Sequence, residues 1–114
     1  MAEAVKSEVL ELVFAVDVAA FTKKGYVGSS NYAGKPVEIE FDDADAGVSL
    51  NQEMGEKLHV RKDSRVMLVV ETEERPQVTE SVVAAIGKKV RISSARVYYQ
   101  VGREGGAVVR IRKL

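Results

Sequence analysis

The alternation of apolar and polar residues between positions 87 and 114 constrains this chain more than any other feature. In residues 87–92, Val90 and Ile92 alternate with Lys89 and Arg91. In residues 95–101, Ala95, Val97, Tyr99 and Val101 alternate with Arg96, Tyr98 and Gln100. Gly102, Gly105 and Gly106 then mark a hairpin loop, where glycine supplies positive backbone angles without a steric cost. Beyond it, Ala107, Val109 and Ile111 oppose Val108, Arg110 and Arg112. Period-two patterning of this kind belongs to antiparallel strands with one buried face. Three consecutive strands are therefore predicted, and their outward face is basic.

Upstream, the residues before position 8 are small and polar and read as a flexible N-terminus, leaving 8–114 as a single β-barrel domain. Residues 8–18 are apolar and rich in β-branched side chains, which favours a strand. Residues 22–35 contain three glycines and many turn formers and read as a long loop with a possible short strand at 25–28, a candidate contact surface. A clean strand follows at 37–41, a short one is expected near Val48–Leu50, and Gln52–Lys57 reads as a turn. A further strand is expected at 58–60, and the most continuously apolar run, 65–71, should be central. Pro76 breaks a charged connection. Residues 79–86 fit either a short helix capped by Thr79 or a strand, because Val82, Val83 and Ile86 have helical spacing yet two of them are β-branched.

One domain with a modest core is what 114 residues can build. Hydrophobic residues at 46% and charged residues at 30% exclude a generally disordered chain. No apolar run approaches the roughly 20 residues that span a bilayer, so a cytoplasmic protein without a membrane partner is expected. The absence of cysteine removes disulfides, thiolate metal sites and a cysteine nucleophile. Formal net charge is zero, but residues 87–114 carry +7 and residues 1–86 carry −7. Such a division fits a nucleic-acid surface, complementary patches that join subunits in a homo-oligomer, or two halves that face one another within one barrel.

No catalytic constellation emerges, no cofactor is implied, and an enzyme is not expected. Asp42 to Gly47 invites a calcium reading, since a loop starting at Asp42 would place Gly47 and Glu53 correctly. However, Ala44 and Ala46 stand where oxygen ligands are needed, so the stretch reads as an acidic turn. His59 has no partner residue at a useful spacing and reads as a strand residue. The glycines at 102, 105 and 106 precede neither a helix nor a Lys-Ser/Thr pair, which excludes a phosphate loop. The candidate partner or nucleic-acid face is the basic side of the last three strands: Lys89, Arg91, Arg96, Tyr98, Arg110 and Arg112. Small barrels can use such a face to track phosphates while an aromatic stacks on a base. A solvated basic face that prevents edge-to-edge pairing is the plainer reading.

The pattern Gly-Lys-Lys-Val-Arg-Ile at 87–92, Val-Tyr-Tyr at 97–99 and Gly-Gly-Ala-Val-Val-Arg-Ile at 105–111 resembles the C-terminal half of the small barrel subunit, number eight, of eukaryotic RNA polymerases and its archaeal relative RpoG. Residues 63–70 resemble that family's central strand, and 12–17 its first. The insertion Gly102-Arg103-Glu104 and the end at Leu114 depart from the eukaryotic pattern. The resemblance implies a non-catalytic subunit docked on the largest polymerase subunit. In size and composition the chain is also similar to the arcadins, small proteins associated with crenactin, an actin-like filament protein of archaea. The expectation is thus an all-β, small antiparallel barrel of the oligonucleotide-binding type with at most one short helix, acting as an assembly subunit, with a single-stranded nucleic-acid binder as a third possibility.

Overall fold

A computed structural model describes residues 10–17, 30–32, 34–72 and 75–114. The architecture is mostly β, a curled mixed sheet that forms a half-barrel with two helices. Its strands are β1 (Glu11–Asp17), β2 (Ser30–Tyr32), β3 (Lys35–Val37), β4 (Ile39–Asp42), β5 (Gly47–Asn51), β6 (Arg65–Glu71), β7 (Gln77–Gly87), β8 (Val90–Ser93) and β9 (Gly106–Lys113). Helix α1 (Gln52–Leu58) follows β5, and α2 (Ala95–Glu104) lies between β8 and β9. The hydrogen-bonded order is β3-β2-β1-β9-β6-β7-β5-β8-β4. The two end strands are successive pieces of one stretch, separated only by Glu38. Because residues 37 and 39 cannot be more than about 7 Å apart, the curl of the sheet brings one end of β3 next to one end of β4.

Alternation places the core. Leu12, Phe14 and Val16 on β1 share a face with Ile111 and Val109 on β9 and with Leu68, Val70 and Val66 on β6, and these residues are buried. Ile39, Phe41, Val48, Leu50 and Ile92 close the other side, with Met54 and Leu58 from α1 and Val97 and Val101 from α2 filling the ends. Most strand pairs are antiparallel, as expected, but β4 pairs with β8 and β5 with β7 in parallel. Among the described residues, no helix is long and apolar enough to cross a membrane.

Several expectations are corrected. Residues 95–101 are not a strand but most of α2, so the described residues hold two helices rather than at most one. Ser94 caps α2, its hydroxyl accepting from Val97 N. Gly102 lies within that helix rather than in a hairpin loop, and Gly105 ends it in the left-handed conformation. Residues 52–57 are helical rather than a turn, and Leu58 ends α1 rather than opening a strand. Asn51 Oδ1 accepts from Met54 N at 2.9 Å to start α1. His59 is its left-handed C-cap, with φ of 56°, and not a strand residue. Gly55 admits α1 against β7, where a Cβ would stand 2.9 Å from Ile86 Cδ1. Residues 79–86 resolve as strand β7, with a bulge at Ala84: Val48 faces Val83 but Ser49 faces Ala85. Of the expected loop at 22–35, residues 30–32 and 35 form strands, whereas 22–29, with the strand suggested at 25–28, lie outside the described residues. The flexible terminus expected at 1–7 also lies outside them.

Two glycines make the packing testable. Gly47 has φ of +97°, and a Cβ there would stand 2.6 Å from the backbone oxygen of Val82, whereas a Cβ on Gly102 would meet nothing within 4 Å. Gly47→Ala should lower stability by about 1–3 kcal/mol, and Gly102→Ala should raise it by up to about 1 kcal/mol. Urea unfolding of both variants checks the pair; equal midpoints would contradict the close approach of β5 to β7.

Candidate functional site

The six residues expected to form one basic face are dispersed over three places. Arg110 and Arg112 lie on the convex face of β9, between β1 and β6. There Glu11 lies opposite Arg112 and beside Arg110. Its carboxylate accepts from Arg110 Nη1 at 2.5 Å and from Arg112 Nε at 2.8 Å. Arg110 Nε also stands 3.1 Å from Glu71 Oε1, an ion pair whose alignment falls short of a hydrogen bond. Partial burial alone would push the Glu11 carboxyl up, but the Arg112 hydrogen bond and the Arg110 charge outweigh it and hold the pKa below its ordinary value. Glu71 and Glu11 hold the Arg110 guanidinium above its usual range. These arginines staple the first and last strands together.

Lys89 and Arg91 lie elsewhere, at the β8 end of the sheet. Lys89 Nζ is 3.8 Å from Glu40, and Arg91 Nε is 3.5 Å from Glu40 and 3.8 Å from Asp42. Both cations are largely exposed, so these pairs contribute little to stability. They show the same arrangement as the arginine pair: an acid from the first part of the chain opposite a cation from the last. Of the readings the charge division left open, the one in which the halves face one another describes these contacts.

Arg96 and Tyr98 ride on α2. Tyr98 is half-buried against the core, and Tyr99 stands edge-on to it with ring centroids 5.1 Å apart. Tyr99 rather than Tyr98 is the exposed aromatic, at 60%. Its hydroxyl hydrogen-bonds Asp43 Oδ2 at 3.1 Å, and that contact raises the phenol pKa. The acidic turn is an anchor for α2: Asp45 Oδ1 accepts from Ala95 N at 3.0 Å, and Asp42 Oδ1 accepts from Ser93 Oγ at 2.5 Å. Carboxylates suit the positive end of a helix.

Two features escaped sequence reasoning. One is a groove of about 470 Å³ lined by Gln77, Ala95, Arg96, Tyr99, Gln100 and Arg103. The recurrence of Arg96, Gln100 and Arg103 at helical spacing is its only sequence signal. The other is a seam in the sheet. Strand β7 pairs with β6 through Gln77–Val82, but with β5 only from Val83 onward. Val83 N and O bond Ser64 O and Asp63 N on the β6 side, while Val82 O faces Gly47 on the β5 side. By alternation the backbone groups of Val78 and Glu80 also point away from β6. Among the described residues, nothing pairs with them.

Comparison of the chain with family models, curated proteins and solved structures gives no match.

The arginine network predicts an acid-labile contribution. A carboxyl held below its unfolded pKa stabilises the fold fully above the ordinary carboxylate range, and that stabilisation is lost as pH falls through the folded value. Urea midpoints measured from pH 7 down to pH 3 should therefore fall, and Glu11→Gln should flatten the decline while lowering the neutral-pH value. Exchanging Arg110 and Arg112 together for Glu should destabilise the protein by about 1–3 kcal/mol, since four carboxylates would then crowd one partly buried patch. A variant as stable as the wild type would show the network to be dispensable.

Proposed function

We propose that this protein is a non-catalytic assembly subunit that works by docking on a larger protein partner. The observation that carries this reading is the unpaired stretch of β7 at Val78 and Glu80, in the interior of the sheet between β6 and β5 and beside the groove at α2. Open strand edges template association with other chains and are normally covered or blunted. Apolar side chains stand beside this one, since Val78 is 50% and Val82 36% exposed. The titratable groups of the β1-β9-β6 face and of the β4-β8 pair are engaged with one another across strands, which suits a scaffold better than acid–base chemistry.

The resemblance gives the partner its most specific form. In that form the chain is an RpoG-like component of archaeal RNA polymerase in the cytoplasm, docked on the large subunit. Residues 97–99 of the resemblance lie on a helix, so this form rests on 87–92, 105–111 and 63–70. The alternative partner is an actin-like filament protein, as for an arcadin. A free-standing single-strand nucleic-acid binder is disfavoured by the dispersal of the basic residues, and would show affinity that falls steeply with salt.

The reading is tested by affinity capture of the tagged full-length chain from its native cell extract after nuclease treatment. Large polymerase subunits are the expected companions. An actin-like filament protein without polymerase would support the arcadin alternative, and capture of no protein in stoichiometric amount would sink the assembly reading itself.

A further inference from the structure

The groove beside α2 adjoins the open edge of β7, because Gln77, which lines the groove, immediately precedes Val78 on the strand. We propose that together they take an extended, acidic segment of a partner polypeptide, which adds to β7 as a strand and sets its carboxylates against Arg96 and Arg103. The inference rests on the assembly-subunit reading and specifies the chemistry of the contact.

The edge supplies the backbone half of this recognition. Val78 and Glu80 offer two N–H and two C=O groups on the side away from β6, the ladder that strand addition uses. The groove supplies the side-chain half. Arg96 and Arg103 are exposed and meet no carboxylate among the described residues, and no carboxylate lines the groove. Gln100 stands between them on the same stripe and lines the groove, although only 6% of its surface is exposed. An amide in the lining of the groove can donate to an incoming carboxylate or pair with a peptide group. Seven helical steps of about 1.5 Å place Arg103 about 10 Å from Arg96 along the axis. Alternate carboxylates of an extended chain are about 7 Å apart, and those four positions apart about 14 Å, a span that two flexible arginines can meet.

Other occupants fit less well. A second copy docked edge to edge would bring its own Arg96 and Arg103 towards these. Single-stranded nucleic acid has no backbone ladder to offer Val78 and Glu80. It would also meet Asp43, bonded to Tyr99, and Asp45, at the start of α2.

The test uses the full chain, labelled with nitrogen-15, and a synthetic peptide alternating Val and Glu. Saturable shifts of the Val78 and Glu80 amides, with slowed hydrogen exchange at both, are expected. The same peptide with Lys for Glu should leave them unmoved. Arg96→Glu with Arg103→Glu should weaken binding roughly tenfold or more, with an unchanged far-ultraviolet dichroism spectrum; if that variant fails to fold, Arg103→Gln carries the comparison. Undiminished binding to the folded variant, peptide shifts confined to other residues, or tighter binding of oligothymidylate at these amides would overturn the proposal. Failure of the peptide to bind would also overturn it, while a stoichiometric partner captured from extract would leave the assembly reading standing.

Discussion

Everything in this structure depends on the last strand being held from both sides. Strand β9 pairs with β1 along Glu11–Asp17 and with β6 along Val66–Glu71. Its inward side chains, Val109 and Ile111, are fully buried between Phe14 and Leu12 on one side and Val70 and Leu68 on the other. Two of its outward side chains, Arg110 and Arg112, share the Glu11 carboxylate. The hydrophobic effect drives the first set of contacts and gives them most of their magnitude. The ion network acts differently: shifting the pairing by one residue would turn the arginines inward and the core residues out, so the charges help specify the register.

The polar and apolar contributions are thus divided by face. Inside the curl, the strands contribute aliphatic and phenyl groups and the helices close the ends with Met54, Leu58, Val97 and Val101. Outside, Glu11, Glu40, Asp42 and Glu71 meet cations from β8 and β9 or the turn before β8, while Arg65 on β6 pairs with Glu80 on β7. The acidic turn adds a third use of charge, since Asp45 and Asp42 tether the start of α2 through Ala95 N and Ser93 Oγ. Arg96 and Arg103 on α2 meet no carboxylate among the described residues, and they lie near the β7 edge at Val78 and Glu80.

Much of the sheet was legible in the sequence, and the misreadings have physical causes. Strand β6 falls on the expected residues 65–71 because its apolar run is bounded by turn formers, and β9 follows its alternation. Residues 95–101 misled because Val97 and Val101, four apart, satisfy both a period of two and a period of 3.6. Tyr98, Tyr99 and Gln100 discriminate, and their burial is the reverse of what a strand requires. The bulge at Ala84 shifts the phase of β7, so that Val83 and Ile86 turn towards the protein three residues apart and imitate a helix. Gly55 disguised α1, although Asn51, Glu53 and the Met54–Leu58 pair are sound helix signals. The candidate face was legible only as a charge imbalance. Which cations would be engaged depends on strand order, and neither the crossing of β1 beside β9 nor the nearness of Gln77 to α2 leaves a local trace.

The junction at Glu38 carries a mechanical consequence. Since β3 and β4 are one stretch of chain, sliding β3 along β2 would drag β4 along β8, and the pairing of Ile39 with Val90 would fail together with that of Lys35 with Tyr32. The two rims of the sheet are therefore geared to one another, and strain applied at one is felt at the other.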